Sequence, residues 1–140
     1  MSLNVRGISN FRKRRAIFTW CRKQKAALIF LQETHSTKAG EYKWTKEWGS
    51  EIIFSHGSSN ARGVAVLIKR GLDIAIVVEQ ELLNSNGRST VLKTLIKDKR
   101  YLVANIYGPN KNAEAAVRFY QNLSATLPKM DPSSEHCCRR

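Results

Sequence analysis

An α+β fold is predicted for this chain, on three observations. A short unbroken apolar run, Ala26 to Leu31, follows a basic helical stretch, so the opening reads as β-α-β. Apolar or alternating segments then recur between residues 51 and 107, separated by turn residues, as antiparallel hairpins do. A capped amphipathic segment after Asn112 adds a helix. Together these describe one sheet carrying helices on one face, with no second set of strands evident to cover the other.

Each element has its own reason. Met1 to Val5 is a very short extended piece before Arg6-Gly7, and Ser9-Asn10 offers a helix N-cap. From Phe11 to Lys25 the composition is helix-forming and very basic. Ile17, Trp20 and Cys21 fall at i, i+3, i+4 and predict a narrow buried stripe. Ala26 to Leu31 has the look of a strand covered on both faces. It stops at Gln32, and Glu33 is the first acidic residue of the chain. In open α/β sheets, strand ends are where ligands collect, and a carboxylate there can hold a hard cation. An ordinary loop-edge glutamate is the alternative.

Glu41 to Trp48 is a helical segment capped by Gly49. Its Tyr42, Trp44 and Trp48 suit core packing better than base stacking. Glu51 to Ser55 reads as a strand, His56 to Asn60 as loop, and Gly63 to Lys69 as an apolar strand. Asp73 to Val78 alternates through Ile74, Ile76 and Val78. Asn84-Ser85-Asn86-Gly87 turns the chain into Arg88 to Lys97, and Asp98-Lys99 turns it again into Tyr101 to Tyr107. Asn112 caps a helix running to about Leu127, with Val117, Tyr120 and Leu123 on one face. Residues 1–127 form one folded unit by this reading. Residues 128–140, with two prolines and no periodicity, read as an unstructured tail.

At 140 residues and 42% hydrophobic content, the chain can bury a real core. Its net charge of +13 and pI near 10.1 point to a polyanion, most often nucleic acid, with a solvated basic surface as the alternative. Arg12, Lys13, Arg14 and Arg15 form the densest basic cluster. That run also has the composition of a nuclear-import signal, though on a folded helix it reads as a DNA-facing or solvated surface. The longest apolar run is far shorter than a bilayer span, and no secretory segment follows the basic start, so an intracellular protein is expected. Cys21, Cys137 and Cys138 have no framework spacing and imply no disulfide scaffold.

Four motifs carry a resemblance. Asn4-Val5-Arg6-Gly7, Leu31-Gln32-Glu33-Thr34-His35, Gly63-Val64-Ala65-Val66 and Asn105-Ile106-Tyr107-Gly108-Pro109-Asn110 occur in this order and spacing. In this the chain resembles the endonuclease/exonuclease/phosphatase superfamily. Within it, the chain most resembles the endonuclease domain of LINE-type (non-LTR) retrotransposons, relatives of apurinic-site endonucleases. The likeness covers roughly residues 2 to 127. It implies a two-sheet sandwich flanked by helices and a Mg²⁺-dependent phosphodiester hydrolase, with Mn²⁺ as an alternative metal. Glu33 matches the metal-ligand glutamate, Asn4 the asparagine of the phosphate and metal site, and Tyr107 the tyrosine that contacts the scissile phosphate. His35 takes a supporting or DNA-facing place. The chemistry is consistent: a carboxylate suits Mg²⁺, and an amide and a phenol hold a phosphate oxygen without adding negative charge.

The resemblance also sets an expectation of loss. Family members continue with a Gly-Asp-x-Asn segment, a later aspartate and a terminal Asp-His pair. The aspartates here are Asp73, Asp98 and Asp131, none in such a setting, and His136 in Glu135-His136-Cys137-Cys138 does not match. The chain is therefore expected to be the N-terminal half of a DNA-nicking domain, inactive as it stands. The alternative is a catalytically dead basic fragment that only binds nucleic acid. Val64-Ala65-Val66-Leu67-Ile68 is apolar at consecutive positions and wants burial on both faces. With one face of its sheet open, self-association is expected.

Overall fold

The computed structural model describes residues 1–71, 75–83, 86–110 and 112–127. Their order is β1 (Ser2–Asn4), α1 (Phe11–Lys23), β2 (Leu28–Gln32), α2 (Glu41–Trp48), β3 (Ile52–Ser55), β4 (Val64–Ile68), β5 (Ile76–Leu83), β6 (Ser89–Ile96), β7 (Lys99–Ile106) and α3 (Ala113–Thr126). The strands form two sheets, one ordered β1-β2-β4-β3 and the other β5-β6-β7. In the first, β1 runs parallel to β2, while β2–β4 and β3–β4 are antiparallel. The fold is α+β, as predicted.

Local chemistry sets the helix limits. The Asn10 side chain accepts from the Lys13 amide at 3.1 Å and starts α1; Asn112 does the same for α3 through the Ala115 amide. Gly49, at φ 81°, ends α2 in the left-handed conformation. The Lys69 ammonium donates to the carbonyls of Arg22 and Gln24, satisfying the carboxyl end of α1.

Two cores lie on opposite faces of the first sheet. On one face, Phe18 and Cys21 of α1 and Trp44 and Trp48 of α2 pack on Ile29, Leu31, Phe54, Ala65 and Leu67. On the other, Ile53, Val66 and Ile68 meet Leu92 of the second sheet, with Ile76, Val78 and Val103 around them. This overturns the expectation of an uncovered face. The hairpins from residue 76 to 106 are not extra strands of the first sheet but a second sheet laid across it, and every residue of β4 is buried. Exposure of Val64–Ile68 therefore cannot drive self-association.

Smaller differences have local reasons. The buried residues of α1 are Arg14, Phe18 and Cys21, and Trp20 is 46% exposed. The stripe is rotated from the Ile17-Trp20-Cys21 reading because an arginine occupies an inward position. Strand β5 continues through Leu83, past the expected end at Val78, across an irregularity between Val78 and Gln80. No residue of α3 is buried: Val117 and Tyr120, two of its three expected core residues, are 55% and 52% exposed. Ile74, Asn84, Ser85 and the expected tail at 128–140 lie outside the described residues. Among those described, no helix is long and apolar enough to cross a membrane.

Candidate active site

Three strand ends converge on one edge. Strands β1 and β2 are parallel, with Asn4 opposite Gln32, so Asn4 and Glu33 emerge side by side. Tyr107 follows β7 in the other sheet and is brought over by a buried amide. Asn105 donates from Nδ2 to the carbonyls of Leu31 and Ala65, both at 3.0 Å, and its Oδ1 accepts from Gln32 Nε2 at 2.6 Å. One side chain thus clasps β7 to both β2 and β4.

At the edge, Asn4 Nδ2 donates to Glu33 Oε1 at 3.0 Å, and the Asn4 Oδ1 accepts the Arg6 amide at 3.1 Å. The Asn4 amide and the Tyr107 hydroxyl, both hydrogen-bonded to Glu33, hold its carboxyl below the usual carboxylate range; slight burial opposes them, and His35 and Arg6 assist. The same bond to Glu33, with burial, pushes the Tyr107 phenol up. A carboxylate that stays charged thus faces a phenol that stays neutral. The Arg88 guanidinium lies 5.6 Å from the Tyr107 ring centroid and donates to the Tyr107 carbonyl at 3.2 Å. Burial, then the charge of nearby Arg62, lowers the Arg88 pKa.

Backbone strain collects here too. Among the described residues, six non-glycine residues have positive φ. Lys97 and Asp98 make the two-residue β6–β7 turn, which requires it. The other four, Arg6, Glu33, His35 and Arg62, at φ 46°, 53°, 56° and 65°, lie on adjoining turns that carry the carboxylate. Such conformations cost about 1–2 kcal/mol each in side-chain-bearing residues and persist where the surroundings over-determine them. Four backbone bonds do so: Gly7 to Glu33 at 2.6 Å, Ile8 to Thr34 at 3.0 Å, Thr34 to Gly63 at 2.9 Å and His35 to Arg62 at 2.9 Å. Gly63, at φ 84°, leaves no room for a side chain, since a Cβ there would meet Thr34 Oγ1 at 2.5 Å.

The other predicted site residues divide. His35 is half-buried beside Gly7, its carbonyl accepting from Ser9 Oγ at 3.0 Å. Arg12, Lys13 and Arg15 are exposed on α1, and the Lys13 ammonium reaches the Arg6 carbonyl at 2.9 Å. Arg14 is a correction. It is 2% exposed, pairs through Nε and Nη2 with both carboxylate oxygens of Glu47, and donates from Nη1 to the carbonyls of Ile8 and Ser9. Trp44 lies 4.9 Å away under its guanidinium. That guanidinium is engaged inside the fold and is not part of the exposed basic surface.

Sequence reasoning missed Asn105, Arg62 and Arg88 as parts of the site. An asparagine within the apolar run of β7 was the available signal for the first. For Arg62 and Arg88 there was none, because the approach of Arg88 to Tyr107 and of Arg62 to Arg88 depends on sheet packing.

The donor set suits a hard divalent cation through Glu33 alone. Among the described residues, no group of three or more His, Cys, Asp or Glu side chains gathers into a fuller cage. Mg²⁺ keeps several waters and binds through one or two carboxylates plus substrate phosphates, so one charged carboxylate with open sides fits it.

Comparisons with known proteins bear on the family and the fold. A model described as the Endonuclease/Exonuclease/phosphatase family matches residues 1–137. The chain is 28% identical over 130 residues to the transposon TX1 uncharacterized 149 kDa protein of Xenopus laevis, covering 93% of this chain and 10% of that protein. An AP endonuclease from Archaeoglobus fulgidus superposes with a TM-score of 0.62 at 20% identity, over 93% of this chain and 51% of that one. The endonuclease domain of TRAS1, a telomere-specific non-LTR retrotransposon, gives 0.56 at 17% identity, over 94% and 54%. The chain thus spans about half the length of these solved structures and a tenth of the transposon protein.

Proposed function

The chain belongs to the endonuclease/exonuclease/phosphatase family, and from that premise we propose that it carries the amino-terminal half of a Mg²⁺-dependent DNA-nicking centre of the retrotransposon type. The observation that supports this most is the convergence of Asn4, Glu33 and Tyr107 on one strained strand edge. In this reading Glu33 holds Mg²⁺, with Mn²⁺ able to replace it, and the Asn4 amide keeps the carboxylate aimed and charged. The Tyr107 hydroxyl, held neutral, gives its one proton to Glu33 in the free chain and donates it to a phosphate oxygen once substrate replaces Glu33 as the acceptor. Arg6, Arg62 and Arg88 supply a positive rim for the phosphodiester backbone, and Arg12, Lys13 and Arg15 extend it along α1. His35 packs the turn. A divalent ion held by Glu33 would supply Lewis acidity at a phosphoryl oxygen and neutralise developing charge.

Within the described residues no group of three or more His, Cys, Asp or Glu side chains gathers at Glu33, and the Gly-Asp-x-Asn and Asp-His residues that would activate water do not occur in this sequence. Absence of a general base costs roughly 10²–10⁴-fold in rate. We therefore read residues 1–127 as the first part of a longer catalytic domain, inactive alone, acting on DNA in the nucleus of the cell. The span of about half of each solved relative supports that reading. The basic α1 favours a second reading, in which the chain binds nucleic acid without cutting it.

Metal titration of the chain and of Glu33→Gln tests the first reading. Mg²⁺ or Mn²⁺ should bind weakly to the former and not to the latter, and equal binding would remove Glu33 as a ligand. Supercoiled DNA should stay intact with the chain alone and be nicked when a complete second half of the family domain is joined to it. For the second reading, reversing the charges of Arg12, Lys13 and Arg15 should flatten the salt dependence of DNA affinity. The log–log slope should shrink by about 0.9 for each phosphate no longer neutralised. An unchanged slope places the DNA-binding surface elsewhere.

A further inference from the structure

Behind the Glu33 turn runs a chain of hydrogen bonds that the nuclease reading does not use. Thr34 Oγ1 donates to Ser36 Oγ at 3.1 Å, and the Ser36 amide donates back to Thr34 Oγ1 at 3.3 Å. Ser36 Oγ lies 3.0 Å from His56 Nδ1, and His56 Nε2 lies 2.7 Å from Glu41 Oε1. Lys38 pairs with the other Glu41 oxygen at 2.8 Å, and the Phe54 ring stacks on the imidazole at 5.2 Å. Residues from the turn, the segment just after β3 and α2 are therefore linked in series.

A serine, a histidine and a glutamate in a row suggest a second hydrolytic centre, but the geometry excludes it. Ser36 is 1% exposed, so no substrate reaches its oxygen, and that oxygen already accepts from Thr34. The polarity of the row says what it does instead. Thr34 is fully buried, so its hydroxyl proton needs the Ser36 oxygen. The Ser36 hydroxyl must then donate onward, and Nδ1 of His56 is the acceptor in reach. Nε2 in turn carries the proton that Glu41 accepts. One neutral tautomer, Nε2–H, satisfies every member.

We propose that His56 is a positioning residue for Glu33: through Ser36 and Thr34 it locks the turn Glu33-Thr34-His35 in its left-handed shape and so fixes where the carboxylate points. Its purpose rests on the nuclease reading; its existence does not. The flanking residues Glu33 and His35 are the strained ones, and Thr34 between them is the residue the row grips. Gly63 seals the other side of Thr34, so the hydroxyl has one way out, toward Ser36.

The test uses the whole chain without metal or DNA, so its result is independent of whether the site binds either. Amide hydrogen exchange at Thr34 and His35 follows the opening of the turn, and nitrogen-15 labelling of histidine reports the tautomer of His56. Neutral His56 should show the Nε2–H form; the Nδ1–H form would overturn the proposal. His56→Phe keeps the stack on Phe54 and removes both hydrogen bonds, so the Thr34 and His35 amides should exchange faster. His56→Asn loses the stack but keeps an acceptor toward Ser36, and should restore most of the original protection. A packing role predicts the reverse ranking, and that ranking would sink the idea. Should His56→Phe fail to fold, Ser36→Ala decides: it removes the link alone, and unchanged exchange at Thr34 and His35 there refutes the proposal.

Discussion

The two halves of this molecule differ in how completely they are closed. The helix-covered sheet buries residues on both faces: β4 is fully enclosed, and α1 and α2 each sink buried side chains into it. The second sheet closes on its inner side only. Val77 and Leu82 remain 52% and 40% exposed, and α3 beside it has no buried residue at all. Stability thus resides in the first layer and at its junction with the second. The site lies at the seam between them, where Asn105 crosses.

That contrast can be broken most forcefully at Leu67, fully buried in the centre of the closed layer. Leu67→Ala should cost about 2–5 kcal/mol, read as a lower denaturation midpoint with unchanged slope. A loss below the bottom of that range would mean that the layer relaxes into the cavity.

Gly63→Ala tests the seam. A methyl group at φ 84° that collides with Thr34 Oγ1 should destabilise by roughly 1–3 kcal/mol. It should also raise the Glu33 titration midpoint, because Thr34 sits next to that carboxylate. Destabilisation without a change at Glu33 would separate turn geometry from the site.

A gentler probe is acid. Arg14 holds the Glu47 carboxyl below its ordinary value of 4.5, against slight burial, so folding favours the charged form. That contribution is complete above the ordinary carboxylate range and is lost as pH falls through the depressed folded value. Glu33 shares the direction with a smaller share, being more open to solvent. Stability should decline on acidification below about pH 5, and Arg14→Met should shrink the decline. An equal decline in that variant would place the acid sensitivity elsewhere.

At the open end the expected effect is smallest. Val117→Ala on α3 should change stability by no more than about 0.5 kcal/mol in this chain. In a chain extended by a second half that covers α3, the same change should cost more. Equal, small effects in both would mean that α3 faces solvent in the longer protein as well.

Much of this was legible in the sequence where the signal is local. The limits of α2, the Asn10 and Asn112 caps and the strand ending at Gln32 follow from residues within one turn of each boundary. The partition into two sheets came from the family resemblance and not from the residues themselves, because nothing local distinguishes a hairpin that extends a sheet from one that folds over it. Arg14 was misread for a related reason. Inside a run of four cations only tertiary packing selects which one turns inward, although its spacing from Phe18 and Cys21 was visible. Asn4, Glu33 and Tyr107 came from resemblance, and the bonds that join them exist only once the two sheets have met.

The Asn105 clasp has a consequence for how the protein breathes. Its amide spans β7, β2 and β4 in a buried position, so the strand ends cannot part there without separating the two sheets. Amide protons of Leu31, Thr34 and Ala65 should therefore exchange with deuterium at the slow rate of whole-domain opening, while those of α3 exchange early. The edge that carries the carboxylate would be among the last parts of the chain to let solvent in.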